Sequence, residues 1–142
     1  MIAIACDHGG FDLKRALCAW MEKKGIGFED LGTSSSESVD YPEYAHRLAE
    51  GVASGRWERG ILVCGTGLGM SMAANRHRGV RAALCSEPLS AAMSRRHNDA
   101  NVLCLGGRVT GPELATAILE AFLGTQFEGG RHARRIRKIE PE

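Results

Sequence analysis

A chain of 142 residues, 44% apolar and 25% charged, has ordinary globular composition and is long enough to bury a core as one domain. Its formal net charge of +1 supplies no global attraction to nucleic acid or to an anionic membrane. No apolar run approaches the roughly 18 residues of a membrane span, and the opening MIAIACDHGG lacks the basic leader of a signal peptide.

Read in chain order, five short apolar runs predict strands at Ile2 to Cys6, Gly27 to Leu31, Ile61 to Cys64, Arg81 to Cys85 and Val102 to Leu105. Helical periodicity fills the intervals. Phe11 to Lys24 aligns Leu13, Leu17, Trp20 and Met21 on one stripe and stops at Gly25. Pro42 to Ser54 begins with proline in the first turn. Gly67 to Asn75, Pro88 to His97 and Pro112 to Leu123 follow, and a basic segment from Arg131 to Ile139 predicts a C-terminal helical tail within about 131–142 of the single domain 1–142. Strand and helix alternate, which predicts an α/β fold whose parallel sheet is covered on both faces.

In such a sheet a ligand binds outside the carboxyl ends of the strands. Three segments with unusual chemistry are assigned to that region: Asp7-His8-Gly9-Gly10, Cys64-Gly65-Thr66-Gly67-Leu68-Gly69, and the His97-Asn98 pair before the fifth strand. In CGTGLGM, glycines at alternate positions let a backbone approach a ligand, and the following helix directs N–H groups at it. The spacing is one residue short of a dinucleotide fingerprint, and no lysine follows as a P-loop requires. What remains is an anion-binding turn with a thiol immediately before it. A helix N-terminus favours the thiolate, so Cys64 suits a nucleophile or a base, or else it is a buried strand-end thiol. Thr66 suits an oxyanion contact or a helix cap.

Asp7 and His8 suit either ligand contact or turn formation. His97 suits proton transfer near neutral pH, or capping of a helix C-terminus. The tail carries five Lys or Arg residues and one His between 131 and 138; Arg131 and Arg135 share a helix face, but Arg134 and Lys138 form a rival pair. The other cysteines, at 6, 18, 85 and 104, make no metal-like grouping and read as small hydrophobes. An odd number without a secretion signal predicts reduced thiols in the cytoplasm. The five histidines, at 8, 46, 77, 97 and 132, show no paired ligand spacing, so no metal is expected.

Several ordered motifs together resemble the type B ribose-5-phosphate isomerase family, which includes the allose and galactose 6-phosphate isomerases. They are CDHGG at 6–10, DYP at 40–42, CGTGLGM at 64–70, SEP at 86–88, RHNDANVL at 96–103, GGRV at 106–109 and GGRH at 129–132. The resemblance implies a three-layer α/β/α sandwich with a five-stranded, parallel, Rossmann-like sheet. It implies a homodimer, or a tetramer, with sites at the subunit interface. By position, Cys64 matches the catalytic base, His97 the ring-opening residue, and Thr66 with Gly65, Gly67, Leu68 and Gly69 the loop around the enediolate. Asp7, Tyr41 and Asn98 match sugar contacts; His8, Arg131, His132 and Arg135 match phosphate ligands, and Arg108 is a further phosphate contact. The implied activity interconverts D-ribose 5-phosphate and D-ribulose 5-phosphate without a cofactor, and without nucleic-acid or membrane partners. Its rivals are the same chemistry on a tetrose 4-phosphate, allose 6-phosphate or galactose 6-phosphate, a phosphosugar-binding module without catalysis, and a thiol-based transferase.

Overall fold

The computed structural model describes residues 1–141. They form β1 (Ile2–Cys6), α1 (Phe11–Lys23), β2 (Phe28–Asp30), α2 (Tyr41–Ala53), β3 (Arg59–Cys64), α3 (Leu68–Ala74), β4 (Ala82–Leu84), α4 (Pro88–Asn98), β5 (Val102–Gly106), α5 (Pro112–Gly124) and α6 (Arg131–Arg137). A short 3-10 turn, His8–Gly10, separates β1 from α1.

The strands pair in the order β2-β1-β3-β5-β4, and every pairing is parallel. The expected α/β/α sandwich is therefore present. The predicted runs at 27–31 and 81–85 shorten to three residues each at the two sheet edges, where only one neighbour supplies hydrogen bonds.

Side-chain alternation along the strands builds two cores. Ile4, Cys6, Ile61, Val63, Leu103 and Leu105 pack against α1, α4 and α5, with Phe122 fully buried among them. Ala3, Ala5, Leu62, Cys64, Val102 and Cys104 face α2 and α3. One buried position on α1 breaks the apolar stripe. Lys14 is 2% exposed, and its Nζ donates to both Asp30 carboxylate oxygens and, at 2.6 Å, to the Thr33 carbonyl. Trp20, expected on the stripe, is only half-buried.

The strand order reverses between β1 and β3, which opens the crevice where doubly wound sheets bind ligands. Two glycine-rich turns meet there. Gly10 lies against the backbone of Val63, and a Cβ at that position would meet the Val63 carbonyl. Gly10→Ala should therefore destabilise the protein by about 1–3 kcal/mol, the usual cost of overpacking. A denaturant midpoint unchanged from the parent chain would contradict this.

Candidate active site

Cys64 ends β3 and is 5% exposed. The chain turns immediately through Gly67, whose φ of +82° lies in the left-handed region that favours glycine. That turn points the Gly67 N–H at the Cys64 Sγ, 3.1 Å away. An N–H donor aimed at sulfur is the partner that a thiolate accepts. The Thr66 Oγ1 accepts the Leu68 N–H at 3.3 Å, so Thr66 closes the turn leading into α3 while its own hydroxyl proton remains available to a ligand.

The end of β5 staples this turn. Gly107 and Arg108 N–H groups donate to the Cys64 and Gly65 carbonyls at 2.7 and 2.9 Å. The Arg108 guanidinium lies over Gly65, where a Cβ would stand 3.2 Å from it. Gly9 approaches the Gly65 backbone from the other side, and Gly69 lies under the Tyr41 ring. Asp7 is buried and its Oδ1 accepts the Gly10 N–H at 3.1 Å, so it does form the turn. His8 Nδ1 accepts the Val39 N–H at 3.1 Å, which leaves its Nε2 for another partner. Asp7, His8, Tyr41, Arg108 and the loop Gly65, Thr66, Gly67, Leu68, Gly69 thus gather around Cys64 at the carboxyl edge of the sheet.

The second group is elsewhere. His97 and Asn98 were expected beside Cys64, but α4 carries the chain from the carboxyl end of β4 back to the amino edge before β5 begins. The Asn98 carbonyl accepts from Arg81 Nε at 3.1 Å, just ahead of the first residue of β4. With ~3.3 Å of rise per residue, the length of β3 separates the two groups by roughly 15 Å. A single chain therefore does not bring His97 to Cys64.

Asp99 fixes that end of α4. It is a non-glycine residue at φ +46°, and its carboxylate pairs with Arg95 at 2.8 Å and Arg81 at 3.4 Å. The tail docks beside it, with Glu128 N–H donating to the Arg96 carbonyl at 3.1 Å. The His97 and His132 rings stack, with centroids 4.4 Å apart and planes 14° from parallel. His97, Asn98, His132 and Arg135 line one cleft with Ile136 and Ile139; Arg131, at the start of α6, is exposed outside that lining.

Contrary to the expectation from spacing, two histidines do share a carboxylate: Glu128 Oε1 stands 3.8 Å from His97 Nε2 and 3.7 Å from His132 Nε2. Glu128 escaped sequence reasoning, although its i,i+4 relation to His132 was available. Lys14 and Asp99 were also missed.

Among the thiols, burial pushes Cys6 up to about 12 and Cys85 up to about 11; Cys18 also rises to about 11 and Cys104 is raised, burial again leading. All five cysteines are free.

Desolvation, followed by the His97 and Arg131 charges, holds the His132 imidazole below its ordinary value, while Glu128 opposes them. A histidine depressed in the folded state stabilises the fold above its unfolded pKa, and that contribution is lost as pH falls through the folded value. Stability should therefore fall on acidification below about pH 6.5, and less steeply in His132→Gln. Parallel slopes of denaturant midpoint against pH for the two proteins would contradict this.

With this geometry in view, the family described as Ribose/Galactose Isomerase matches residues 2–139. Ribose-5-phosphate isomerase B of Escherichia coli (strain K12) is 54% identical over 138 residues, covering 97% of this chain and 93% of the relative. The crystal structure of a ribose 5-phosphate isomerase from Thermotoga maritima is 56% identical, with a TM-score of 0.95 over 97% of this chain and 95% of that one. Clostridium thermocellum ribose-5-phosphate isomerase B is 51% identical, with a TM-score of 0.95 and coverage of 97% and 93%. Identity of this extent, spanning both glycine turns and the basic tail, means that the chain belongs to the ribose/galactose isomerase family.

Proposed function

We propose that the protein is a sugar-phosphate isomerase that interconverts D-ribose 5-phosphate and D-ribulose 5-phosphate. The observation that carries this reading is Cys64, buried at the switch point of the sheet with the Gly67 N–H on its sulfur. It gains support from the 54% identity to an enzyme named ribose-5-phosphate isomerase B.

In the reaction we infer, His97 moves a proton between the ring oxygen and the C1 hydroxyl, which opens the furanose. The Cys64 thiolate removes the proton from C2, and the bonding pair shifts toward C1 to give a cis-enediolate. Thr66 donates its free hydroxyl proton to a developing oxyanion, with the backbone of Gly65 to Gly69 around it. A proton passes from the C2 hydroxyl to O1 of the enediolate, which moves the negative charge to O2, and the Cys64 thiol then protonates C1 as the O2 charge collapses to the C2 ketone. Asp7, Tyr41 and Asn98 hold sugar hydroxyls. His8, Arg131, His132, Arg135 and Arg108 grip the phosphate, and this remote binding energy orients the reacting carbons. No step calls on a cofactor, and the reading places the enzyme in the cytoplasm.

If His97 serves the Cys64 site, the roughly 15 Å between them supports a site shared between two copies of the chain. In a twofold dimer, isologous packing sets the carboxyl edge of one sheet against the amino edge of the other, so His97, His132 and Arg135 of each copy complete the Cys64 site of its mate. An apolar surface suited to this contact runs along the α3/β4/α4 side, where Leu68, Met72, Leu84 and Leu89 are 50, 61, 39 and 67% exposed.

Three measurements test this reading. Cys64→Ala should lower kcat by ~10²–10⁴-fold, and a variant with half the parental rate would remove Cys64 from the role of base. Mixing inactive Cys64→Ala with inactive His97→Asn should restore activity, because each mixed dimer holds one intact site. Random pairing would give about a quarter of the parental rate, whereas no recovery would mean that the site is not shared. Across four-, five- and six-carbon phosphosugars, kcat/KM should peak at five carbons. Moving the reacting C2 by about an ångström can cost roughly 10²-fold, so a peak at a tetrose 4-phosphate or a hexose 6-phosphate would leave the chemistry intact and change the substrate.

A further inference from the structure

The three side chains that meet at the amino edge of the sheet have a geometry that sugar binding does not explain. One ring nitrogen each of His97 and His132 and a Glu128 carboxylate oxygen all lie within 4.8 Å of one another. Glu128 Oε1 is 3.8 and 3.7 Å from the two imidazole nitrogens, beyond the 2.7–3.2 Å of an N–H···O hydrogen bond. The three groups stand together, the two rings stacked 14° from parallel, without satisfying one another. We propose that His97, Glu128 and His132 form a binding site for a zinc-class divalent cation, two imidazoles and one carboxylate supplying the ligands.

The donor set and spacing carry the assignment. Two histidines and a glutamate are a known composition for zinc with an open fourth position. Ligand atoms at ~2.1 Å from a tetrahedral ion stand about 3.4 Å apart. The two carboxylate-to-imidazole edges exceed that by only a few tenths of an ångström, and binding turns one imidazole out of the stack to bring its nitrogen onto the ion. The scaffold holds the ligands from both sides: His97 sits on the last turn of α4, Glu128 is tied to that turn through the Arg96 carbonyl, and His132 lies in the first turn of α6. Arg135 lines the same cleft and, with Arg131, puts positive charge near His132; salt screens that repulsion in an exposed cleft.

The ion would be inhibitory. It occupies the imidazoles that the proposed reaction needs free, so phosphosugar and metal exclude each other. That competition rests on the function proposed above; binding of the ion does not.

Equilibrium dialysis of the full chain against Zn²⁺ tests the site. One ion per chain is expected, weakened at least about tenfold in Glu128→Gln, which removes one of three ligands. Thiols also bind zinc, so the same measurement on Cys64→Ala is the control, and it should retain the ion. Co²⁺ substituted for zinc should give a spectrum without a thiolate charge-transfer band. Zinc binding that survives Glu128→Gln unchanged, or that disappears in Cys64→Ala, would overturn the proposal. D-ribose 5-phosphate should raise the apparent Kd for zinc in proportion to its concentration. Stoichiometric binding that depends on Glu128 but ignores the sugar would uphold the metal site and remove His97 and His132 from the phosphosugar site.

Discussion

All five strands point the same way, so every connecting helix must return the chain to the edge where it started. The turns that follow strands gather at one edge of the sheet, and the turns that follow helices gather at the other. Cys64 belongs to the first set, at the end of β3, and His97 to the second, at the end of α4. No adjustment of side-chain rotamers bridges that separation, because it is the length of the strands themselves. In the proposed reaction the thiol and the imidazole therefore come from different chains, because the sheet direction keeps them at opposite edges of one chain.

Each half is held by a small number of demanding interactions. At the carboxyl edge, the left-handed Gly67 and the close approaches of Gly9, Gly65 and Gly69 leave little room for variation. The second loop there, after β2, hangs on Lys14. Its three acceptors balance a buried ammonium, and an unpaired charge in that position would cost several kcal/mol. At the amino edge, Asp99 plays the corresponding part by clamping Arg95 and Arg81 while its backbone ends α4. Arg95 is itself buried and also donates to the Ala100 and Thr125 carbonyls, which joins α4 to the segment leading into the tail.

Much of this was legible in the sequence. The strand and helix alternation sets the layers, since apolar runs of four or five residues and 3.6-residue periodicity are local signals. The Cys64 turn was legible because its residues are contiguous. Its hydrogen-bond geometry was less so: Thr66 and Asp7 each had two possible roles, and both do form local turn contacts. The position of His97 was misread, although a helix between two parallel strands already implies that its end lies at the far edge. Glu128 and His97 are far apart in sequence, and only tertiary packing of the tail makes them neighbours. Lys14 was hidden for the opposite reason, since a lysine on a helix normally marks the solvent side.

The proposed division of the site between two sheet edges has a kinetic meaning. In the proposed dimer, a folded monomer is a correctly built protein with no complete catalytic centre. Specific activity then depends on protein concentration through the dimer dissociation constant, and dilution inactivates the enzyme reversibly without unfolding either core. Substrate that bridges the two chains binds the dimer and not the monomer, so phosphosugar itself shifts the assembly equilibrium toward the active form.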